Sequence, residues 1–344
     1  MSETAPALIV ERCGVLTTIQ DGGRYGYQRF GVTPAGPMDP WAFRLANRML
    51  IQNDDEAGLE VGPGSLVLRV EAERVRIALA GAERPVAVDG RAVPWWSVLN
   101  AGGGQRIELG PAARGVWSYL AVAGGLAVRP VMGSRATHTL TRLGGLEGRP
   151  LRQGDRLPLA DSAIAPDAPD FALVEPPVEP QGPIRILLGP QEAWFTETGV
   201  AALLGTPWRV SSRSDRMGYR LEGPPIEHAR SPNIVSDGIV TGAIQVPGSG
   251  QPIVLMADRQ STGGYPKIGT VISADIGRLA QTPAGGIVRF RAVSFEEALR
   301  ARAERRSAIE KARASLAPLP RGGRTDPTFL LSVNLVSGVT AGEP

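Results

Sequence analysis

The sequence predicts a mainly β fold divided into two domains, and three observations lead to this prediction. The chain has 344 residues, which exceeds the usual size of one domain. It contains 43 glycines and 30 prolines, nearly double the usual share of about 12% for this pair, so turns should outnumber long helices. Its apolar residues recur mostly in short alternating runs, as they do in strands.

The first domain, expected at residues 1–160, contains one clear helix. Asp39 can accept hydrogen bonds from the first turn as an N-cap, and Pro40 suits the first helical position. The apolar residues that follow recur on one face of a helix: Trp41, Leu45 and Met49. The helix should end near Asn53.

Strands account for most of the other regular structure. They are predicted as short runs separated by glycine-rich turns. In the first domain these runs lie at residues 66–80, 106–109 and 117–122. In the second domain, expected at residues 184–293, they lie at residues 184–188, 252–257, 267–273 and 286–293.

Two further segments complete the organisation of the chain. Residues 161–183 are rich in proline, alanine and acidic residues and lack a regular period, as interdomain linkers do. After Val293, the sequence S-F-E-E has the form of a capping box and should begin a charged helix that runs to about Leu316. The rest of the segment 294–344 should be a flexible tail. The motifs R-Y-G-Y and R-M-G-Y occur once in each half, which leaves open whether the two domains are duplicates.

The charge pattern and the missing motifs exclude several classes of protein. The formal net charge is only +3 and both signs are interspersed, so no nucleic-acid-binding face is expected. No signal peptide and no membrane span are recognisable, and a single cysteine excludes an internal disulfide. We therefore expect a soluble cytoplasmic protein. P-loop, Rossmann and α/β-hydrolase motifs are absent, and two histidines with one cysteine cannot form a His/Cys zinc cluster. No metal-binding residue is predicted, although a carboxylate site for magnesium stays possible.

The main candidate site lies between residues 236 and 281, where charge stands beside glycines. A buried strand should place Asp258 at its end, and Gly263 with Gly264 allows backbone N–H groups to approach a ligand closely. Tyr265 and Lys267 follow. The chain has 35 arginines and two lysines, so a lysine at this place suggests a need for a compact cation, as an oxyanion or a phosphate would require.

The candidate residues fall into two groups. Lys267, Asp258 and Tyr265 are predicted to be catalytic. The others are predicted to bind substrate: Ser134, His138, Arg216, Ser236, Asp237, Gln245, Gln260, Thr262, Gly263 and Gly264.

Ordinary structural roles are open for most of these residues. Lys267 can be a surface residue in a hairpin turn, and Asp258 can cap a turn. Gln245 can fill a strand edge, and His138 can be a hydrogen-bonded structural histidine. Asp215 and Arg216 can form a structural ion pair, and Ser236 with Asp237 can form a simple turn.

Four stretches of the sequence together resemble one family. They are Q-D-G-G-R-Y-G-Y from Gln20, A-V-A-G-G-L-A-V-R-P-V-M-G-S-R-A-T from Ala121, S-D-R-M-G-Y-R-L-E-G from Ser214, and G-Q-P-I-V-L-M-A-D-R-Q-S-T-G-G-Y-P-K-I-G from Gly250. The chain resembles the biotin-dependent carboxyltransferase family, also called allophanate hydrolase subunit 2, whose members include KipA and the C subunit of bacterial 5-oxoprolinase. The resemblance covers about residues 8–290. Asp237 stands where the family commonly has glutamate, and Ser261 where threonine is frequent.

The resemblance implies a fold, partners and an activity. The fold would be two cyclophilin-like β-barrel domains. The partners would be a KipI-like B subunit and a LamB-like A subunit, and the hetero-complex would use ATP with magnesium to open 5-oxo-L-proline to L-glutamate. Lys267 and the amides of Gly263 and Gly264 would then stabilise developing charge, while Asp258 would hold magnesium or orient the nucleophile. Tyr265, Gln260 and Gln245 would hold a small amide or lactam substrate.

Two other functions within the same resemblance stay open. Related sequences transfer a carboxyl group from carboxybiotin to urea, and the same residues would serve that reaction with a tyrosine against biotin. The chain has no biotinyl-lysine motif, so biotin would have to come on a separate carrier, which favours 5-oxoprolinase. The third possibility is a regulatory protein without enzymatic activity that binds an inhibitor of a histidine kinase.

Overall fold

Four α-helices lie within the residues that the computed structural model describes, which are 5–161, 164–165 and 167–319. They are α1 (Pro40–Met49), α2 (Glu197–Gly205), α3 (Ile276–Ala280) and α4 (Phe295–Ala314). Two short 3₁₀ helices lie at Gln28–Phe30 and Glu192–Trp194. Strands occupy 31% of the described residues and helices 16%. The predicted fold class is thereby confirmed: mainly β, with a few short helices and a helix near the C-terminus.

Twelve of the strands precede residue 180, and they are short and mostly antiparallel to their neighbours. They are β1 (Ala7–Arg12), β2 (Thr18–Gln20), β3 (Gly58–Val61), β4 (Leu66–Glu71), β5 (Arg74–Gly81), β6 (Val86–Val88), β7 (Arg91–Val93), β8 (Ser97–Gly102), β9 (Arg106–Leu109), β10 (Ser118–Val122), β11 (Arg156–Pro158) and β12 (Phe171–Leu173).

The remaining strands are β13 (Ile184–Leu188), β14 (Trp208–Val210), β15 (Gly218–Glu222), β16 (Asp237–Gly238), β17 (Ala243–Gln245), β18 (Ile253–Leu255), β19 (Thr262–Gly263), β20 (Lys267–Val271), β21 (Ile287–Val288), β22 (Phe290–Ala292) and β23 (Leu316–Pro318). All the runs predicted as strands contain one or two of these elements. The runs 106–109 and 184–188 are strands over their whole length, whereas the other runs are interrupted or shortened.

The strands form three large sheets and one small ribbon. A six-stranded sheet has the order β11-β1-β4-β9-β6-β7, and a seven-stranded sheet has the order β2-β3-β10-β5-β8-β12-β23. The second half of the chain forms an eight-stranded sheet in the order β21-β14-β15-β18-β17-β20-β13-β22, in which only β13 and β22 pair in parallel. Strands β16 and β19 form a separate two-stranded ribbon.

The seven-stranded sheet is buried on both faces. Leu79 and Leu120 face the core that it shares with the six-stranded sheet, whereas Ala80 and Tyr119 face a second core. Small residues such as Ala80 leave room there for α1. Because side chains alternate across a strand, a continuously buried run such as β10 serves two cores at once.

The start of α1 is as predicted, and its end is earlier. The Asp39 carboxylate accepts hydrogen bonds from the backbone N–H groups of Trp41 and Ala42, both at 3.2 Å. The helix ends at Met49 rather than near Asn53, since Ile51 has a φ of 57° and leaves the helical conformation.

The predicted cap of the last helix is confirmed, whereas part of the predicted linker is a strand. The Ser294 hydroxyl accepts a hydrogen bond from the Glu297 N–H at 3.2 Å, which confirms the predicted N-cap of α4. The tail predicted beyond α4 lies, after residue 319, outside the described residues. Within the predicted linker, residues 171–173 form β12, which pairs with β8 and β23. The run F-A-L can join an open sheet edge, although its flanking prolines and acids are typical of a linker.

One continuous core joins the two halves of the chain. The Trp117 indole donates to the Tyr219 hydroxyl at 3.2 Å, and this hydroxyl donates to the carbonyl of Ala280 at 2.7 Å. The side chain of Gln281 accepts from the backbone N–H groups of Val116 and Trp117, just before β10, and donates to the Trp117 carbonyl at 2.8 Å. These contacts hold the eight-stranded sheet against the seven-stranded sheet.

Candidate functional site

A buried charge network lies where the two halves meet. The guanidinium of Arg216 donates two hydrogen bonds to the Asp258 carboxylate, at 3.0 and 2.8 Å, and one to the carbonyl of Gly36 at 2.8 Å. Arg216 also forms an ion pair with Glu60 of β3. Burial disfavours the charged form, but the carboxylates of Asp258 and Glu60 raise the pKa of the Arg216 guanidinium above its ordinary value.

Further donors satisfy the Glu60 carboxylate. It accepts hydrogen bonds from the Met38 N–H at 2.7 Å and from the Tyr119 hydroxyl at 2.8 Å. The ion pair between Asp215 and Arg216 that the sequence left open is absent from the described residues. Asp215 instead accepts hydrogen bonds from the backbone N–H groups that follow it, at 2.8 and 3.2 Å. Adjacent charges in the sequence therefore have different partners in the fold.

Lys267, the first residue of β20, is buried rather than exposed in a turn. Only 3% of the residue is accessible. Its Nζ donates to the Asp237 carboxylate at 2.7 Å and to the Gly238 carbonyl at 3.4 Å. Asp237 is 53% exposed, and its hydrogen bond from Lys267 lowers the pKa of its carboxyl. The alternative that Lys267 is an ordinary surface residue is therefore wrong.

The ribbon of β16 and β19 contains Asp237 and lies next to Lys267. Asp237 is in register with Gly263, and Gly238 with Thr262. A Cβ added to Gly263 would lie 2.5 Å from the Nε2 of Gln245, so glycine is required for the close approach of the ribbon to β17. Ser236 and Thr262 are exposed on the ribbon, and Gly264 accepts a backbone hydrogen bond from Ile234 at 2.8 Å.

A cavity of about 630 Å³ opens beside the ribbon. It is lined by β15, β17 and β18 and by the segment after β18. Three predicted residues line this cavity: Gln245, Gln260 and Tyr265. Three arginines that the sequence prediction did not include also line it: Arg213, Arg220 and Arg259. We call it the Arg259 cavity.

The structure divides the predicted residues between the cavity and its supports. Gln245 is buried, and the only hydrogen bond of its side chain to the described residues is a long one, 3.4 Å from Nε2 to the Tyr265 carbonyl. Tyr265 and Gln260 are exposed at the cavity. Lys267 does not line the cavity but is in register with Gln245 on the neighbouring strand. Asp258 precedes Arg259 and is bound by Arg216.

Two predicted residues, Ser134 and His138, lie in the first half of the chain and do not line the cavity. The Ser134 hydroxyl donates to the Asp21 carboxylate at 2.6 Å. The His138 ring lies 2.6 Å from the Thr141 hydroxyl and 3.1 Å from the Thr33 hydroxyl. Both ring nitrogens of His138 therefore have hydrogen-bond partners, as expected of a structural histidine.

Arg259 is the most buried of the three cavity arginines that the prediction of site residues did not include. It is 4% exposed, and the only hydrogen bond of its guanidinium to the described residues runs 3.4 Å from Nε to the Ile239 carbonyl. Its buried Nη1 has no partner there. Burial lowers the pKa of the Arg259 guanidinium. Its position at the end of the strand, between two predicted residues, was the available signal.

The described part of the chain offers neither a metal cluster nor a membrane span. It contains no group of three or more His, Cys, Asp or Glu side chains that could hold a metal ion. None of its helices is both long enough and apolar enough to cross a membrane.

The fold and the motif around β18 to β20 are those of a carboxyltransferase domain. Residues 30–292 match the family described as carboxyltransferase domain, subdomain A and B, and the chain belongs to this family.

Similar proteins within this family include parts of multi-subunit enzymes and larger single-chain enzymes. The chain is 41% identical to the C subunit of 5-oxoprolinase from Escherichia coli over 313 residues, which cover 88% of this chain and 97% of that protein. It is 36% identical to the C subunit of 5-oxoprolinase from Haemophilus influenzae, over 83% of this chain and 91% of that protein. The crystal structure of K. lactis urea amidolyase superposes with a TM-score of 0.83 at 28% identity, over 92% of this chain and 20% of that one.

Proposed function

We propose that this chain is the C subunit of an ATP-dependent 5-oxoprolinase, which opens 5-oxo-L-proline to L-glutamate. The observation that carries the proposal is the 41% identity to the corresponding E. coli protein, because it extends over 97% of that protein. In the proposal the chain acts in a hetero-complex with a KipI-like B subunit and a LamB-like A subunit. The Arg259 cavity is the proposed substrate site.

The chemistry of the cavity suits this substrate. 5-Oxoproline is a lactam with a carboxylate, and it offers one amide N–H and one amide carbonyl. The buried amide of Gln245 has both a donor and an acceptor and makes only one long hydrogen bond, so it can bind the lactam amide. Gln260 and Tyr265 supply further polar groups at the same cavity. The lining arginines favour a substrate that carries negative charge.

Lys267 retains a proposed catalytic role. Opening the lactam places negative charge on the carbonyl oxygen, which needs cations and N–H donors. An ammonium group has three N–H donors, and two acceptors, on Asp237 and Gly238, lie within hydrogen-bond distance of Nζ. Lys267 does not line the Arg259 cavity, so in the proposal its third donor acts on an oxyanion held next to Gln245, with which Lys267 is in register. The ion pair with Asp237 fixes the ribbon beside Lys267.

ATP and magnesium are proposed for the complex, without assigned ligands in this chain. ATP would supply the free energy for opening a stable amide. Because no metal-binding cluster lies within the described residues, we derive no step of nucleotide chemistry from them. Asp258 is held by Arg216 through both oxygens. Its proposed role is therefore to position Arg259 and Gln260, which follow it.

The second candidate function is carboxyl transfer from carboxybiotin to urea. It is favoured by the TM-score of 0.83 to K. lactis urea amidolyase. Urea is neutral, but carboxybiotin carries a carboxylate that a buried arginine would also match. The cavity therefore suits both reactions, and the 41% identity over 97% of the E. coli protein is what favours 5-oxoproline.

The test measures phosphate release from ATP by the chain co-purified with its natural partners, with 5-oxoproline or urea added. We expect stimulation by 5-oxoproline only, and loss of this stimulation in Lys267→Ala with the complex intact. Lys311→Ala is the matched control, because the other lysine of the chain is exposed on α4. Stimulation by urea with biotin carrier, or full activity of Lys267→Ala, would contradict the proposal.

A further inference from the structure

Arg259 differs from every other buried arginine in the described chain. Arg216 has two carboxylate partners, and Arg305 has Glu179. Arg84 donates to five backbone carbonyls and to the Ser118 hydroxyl, and Arg24 donates to three carbonyls. Arg24 and Arg305 also have one buried nitrogen without a partner, but their other nitrogens have strong acceptors. Arg259 has one weak acceptor and takes part in none of the ion pairs of the described residues.

A buried guanidinium without acceptors is costly to the folded protein. Burying a charge is tolerated when the charge is paired and its hydrogen-bond donors are satisfied. A local structural role for Arg259 would require acceptors around it, as Arg84 has. Since the fold does not supply them, the missing acceptors should come from a ligand.

The surroundings of Arg259 select the charge of that ligand. Arg213 and Arg220 line the same cavity. The lining also carries two carboxylates, Asp215 and Glu222, and Glu222 pairs at 2.8 Å with Arg209, which lies outside the lining. Three arginines against one remaining carboxylate leave the charge of the cavity positive. Its volume of about 630 Å³ lies within the range of about 300–1,000 Å³ of small-molecule sites.

We propose that Arg259 binds the carboxylate of the substrate and so restricts the cavity to lactams that carry one. The identity of the lactam rests on the proposed function, whereas the carboxylate site rests on Arg259 and its cavity. The planar guanidinium can donate two parallel hydrogen bonds to a carboxylate, which lysine cannot reproduce. With the carboxylate held by Arg259, the lactam amide is left for Gln245. Arg259 is thus a residue that determines specificity.

The first test compares two ligands that differ in the carboxylate. Binding of 5-oxoproline and of 2-pyrrolidinone, which is the same lactam without a carboxylate, is measured by calorimetry with the full chain and with its complex. We expect 5-oxoproline to bind more tightly to the wild type, by about tenfold to a hundredfold, which is the contribution of hydrogen bonds to a charged group. Equal binding of the two lactams, or no binding of 5-oxoproline by chain or complex, would overturn the proposal without any variant.

The second test removes the guanidinium. In Arg259→Gln the preference for 5-oxoproline should disappear while 2-pyrrolidinone binds as before, and Arg259→Lys should restore the preference in part. Arg230→Gln is the control, since Arg230 is an exposed arginine that lies over Trp194 outside the cavity. In the complex, Arg259→Gln should raise the KM for 5-oxoproline more than it lowers kcat. Loss of both ligands together, or no change of preference, would contradict a carboxylate role.

The two proposals can fail separately. If 5-oxoproline does not stimulate phosphate release but still binds through Arg259, the proposed function is wrong and the carboxylate site is correct. If phosphate release is stimulated and Arg259→Gln leaves the KM unchanged, the function is correct and the site assignment is wrong.

Discussion

Replacing Arg216 by methionine should destabilise the protein strongly and make its stability depend more steeply on pH. The variant loses two hydrogen bonds to Asp258, one to Gly36 and the ion pair with Glu60. Hydrogen bonds to charged groups contribute about 1.5–3 kcal/mol each, so the gross loss is several times that amount. The variant also no longer buries the charge of the guanidinium, and this gain offsets part of the lost free energy of unfolding. Breaking a buried pair on one side costs about 3–5 kcal/mol, which we take as the expected loss.

The pH dependence follows from the Glu60 carboxylate that remains. Burial already raises the pKa of the Glu60 carboxyl and Arg216 opposes this rise, so removal of Arg216 should raise the folded-state pKa of Glu60 further above the unfolded one. The folded variant then binds more protons than the unfolded chain, and its stability increases as the pH falls from 7 towards 5. The deficit relative to the wild type should therefore shrink over this range.

The assay is urea denaturation of Arg216→Met and the wild type at pH 7 and pH 5. Arg220→Met serves as the control, because Arg220 is an exposed arginine on the adjoining strand β15 and surface changes usually stay within about 0.5 kcal/mol. A loss below about 1 kcal/mol at pH 7, or a deficit that grows at pH 5, would refute the reasoning that a buried charge network joins the two halves.

Three more perturbations test other parts of the fold. Although burial acts in the opposite direction, hydrogen bonds from Arg185 lower the pKa of the Asp275 carboxyl below 3.8. The stability gained from this carboxylate is present above pH 3.8 and is lost as the pH falls through its folded pKa, so urea midpoints of Asp275→Asn and wild type should converge in acid. Burial lowers the pKa of Arg84 to about 10. Arg84→Met should lose about 3 kcal/mol in urea denaturation, since buried carbonyls become unsatisfied, and an unchanged midpoint would contradict this. Gly263→Ala should reduce 5-oxoproline-stimulated phosphate release, because its Cβ would lie 2.5 Å from a glutamine nitrogen, whereas Gly238→Ala in the same ribbon meets nothing within 4 Å and should stay active.

Local chemistry made much of the fold predictable. The Asp39 and Ser294 caps act on backbone groups two or three residues away, so the sequence alone locates the starts of α1 and α4. Alternating apolar runs predict strands because successive side chains of a strand point to opposite faces, which is also a local property of the chain. The end of α1 was less predictable, because it depends on the backbone conformation at Ile51.

The sequence brings several candidate residues to one region but does not predict their pairings. Three of the predicted residues line the Arg259 cavity, next to the motif that contains Lys267. Asp258 and Arg259 stand side by side in the sequence and have opposite environments in the fold. One has an arginine partner at both oxygens, and the other has a single weak acceptor.

By itself, the sequence determined the mainly β class, the capped helices, the short strands and membership of a family through ordered motifs. The tertiary structure alone decided which charges are paired. Lys267 finds Asp237 thirty residues earlier, and Arg216 finds Glu60 across 156 positions of the chain. Whether a charge is satisfied depends on groups that the fold brings together from distant parts of the chain, and no local period in the sequence records them. For this reason Lys267 could be noticed in the sequence, while the unpaired Arg259 could be recognised only in the folded protein.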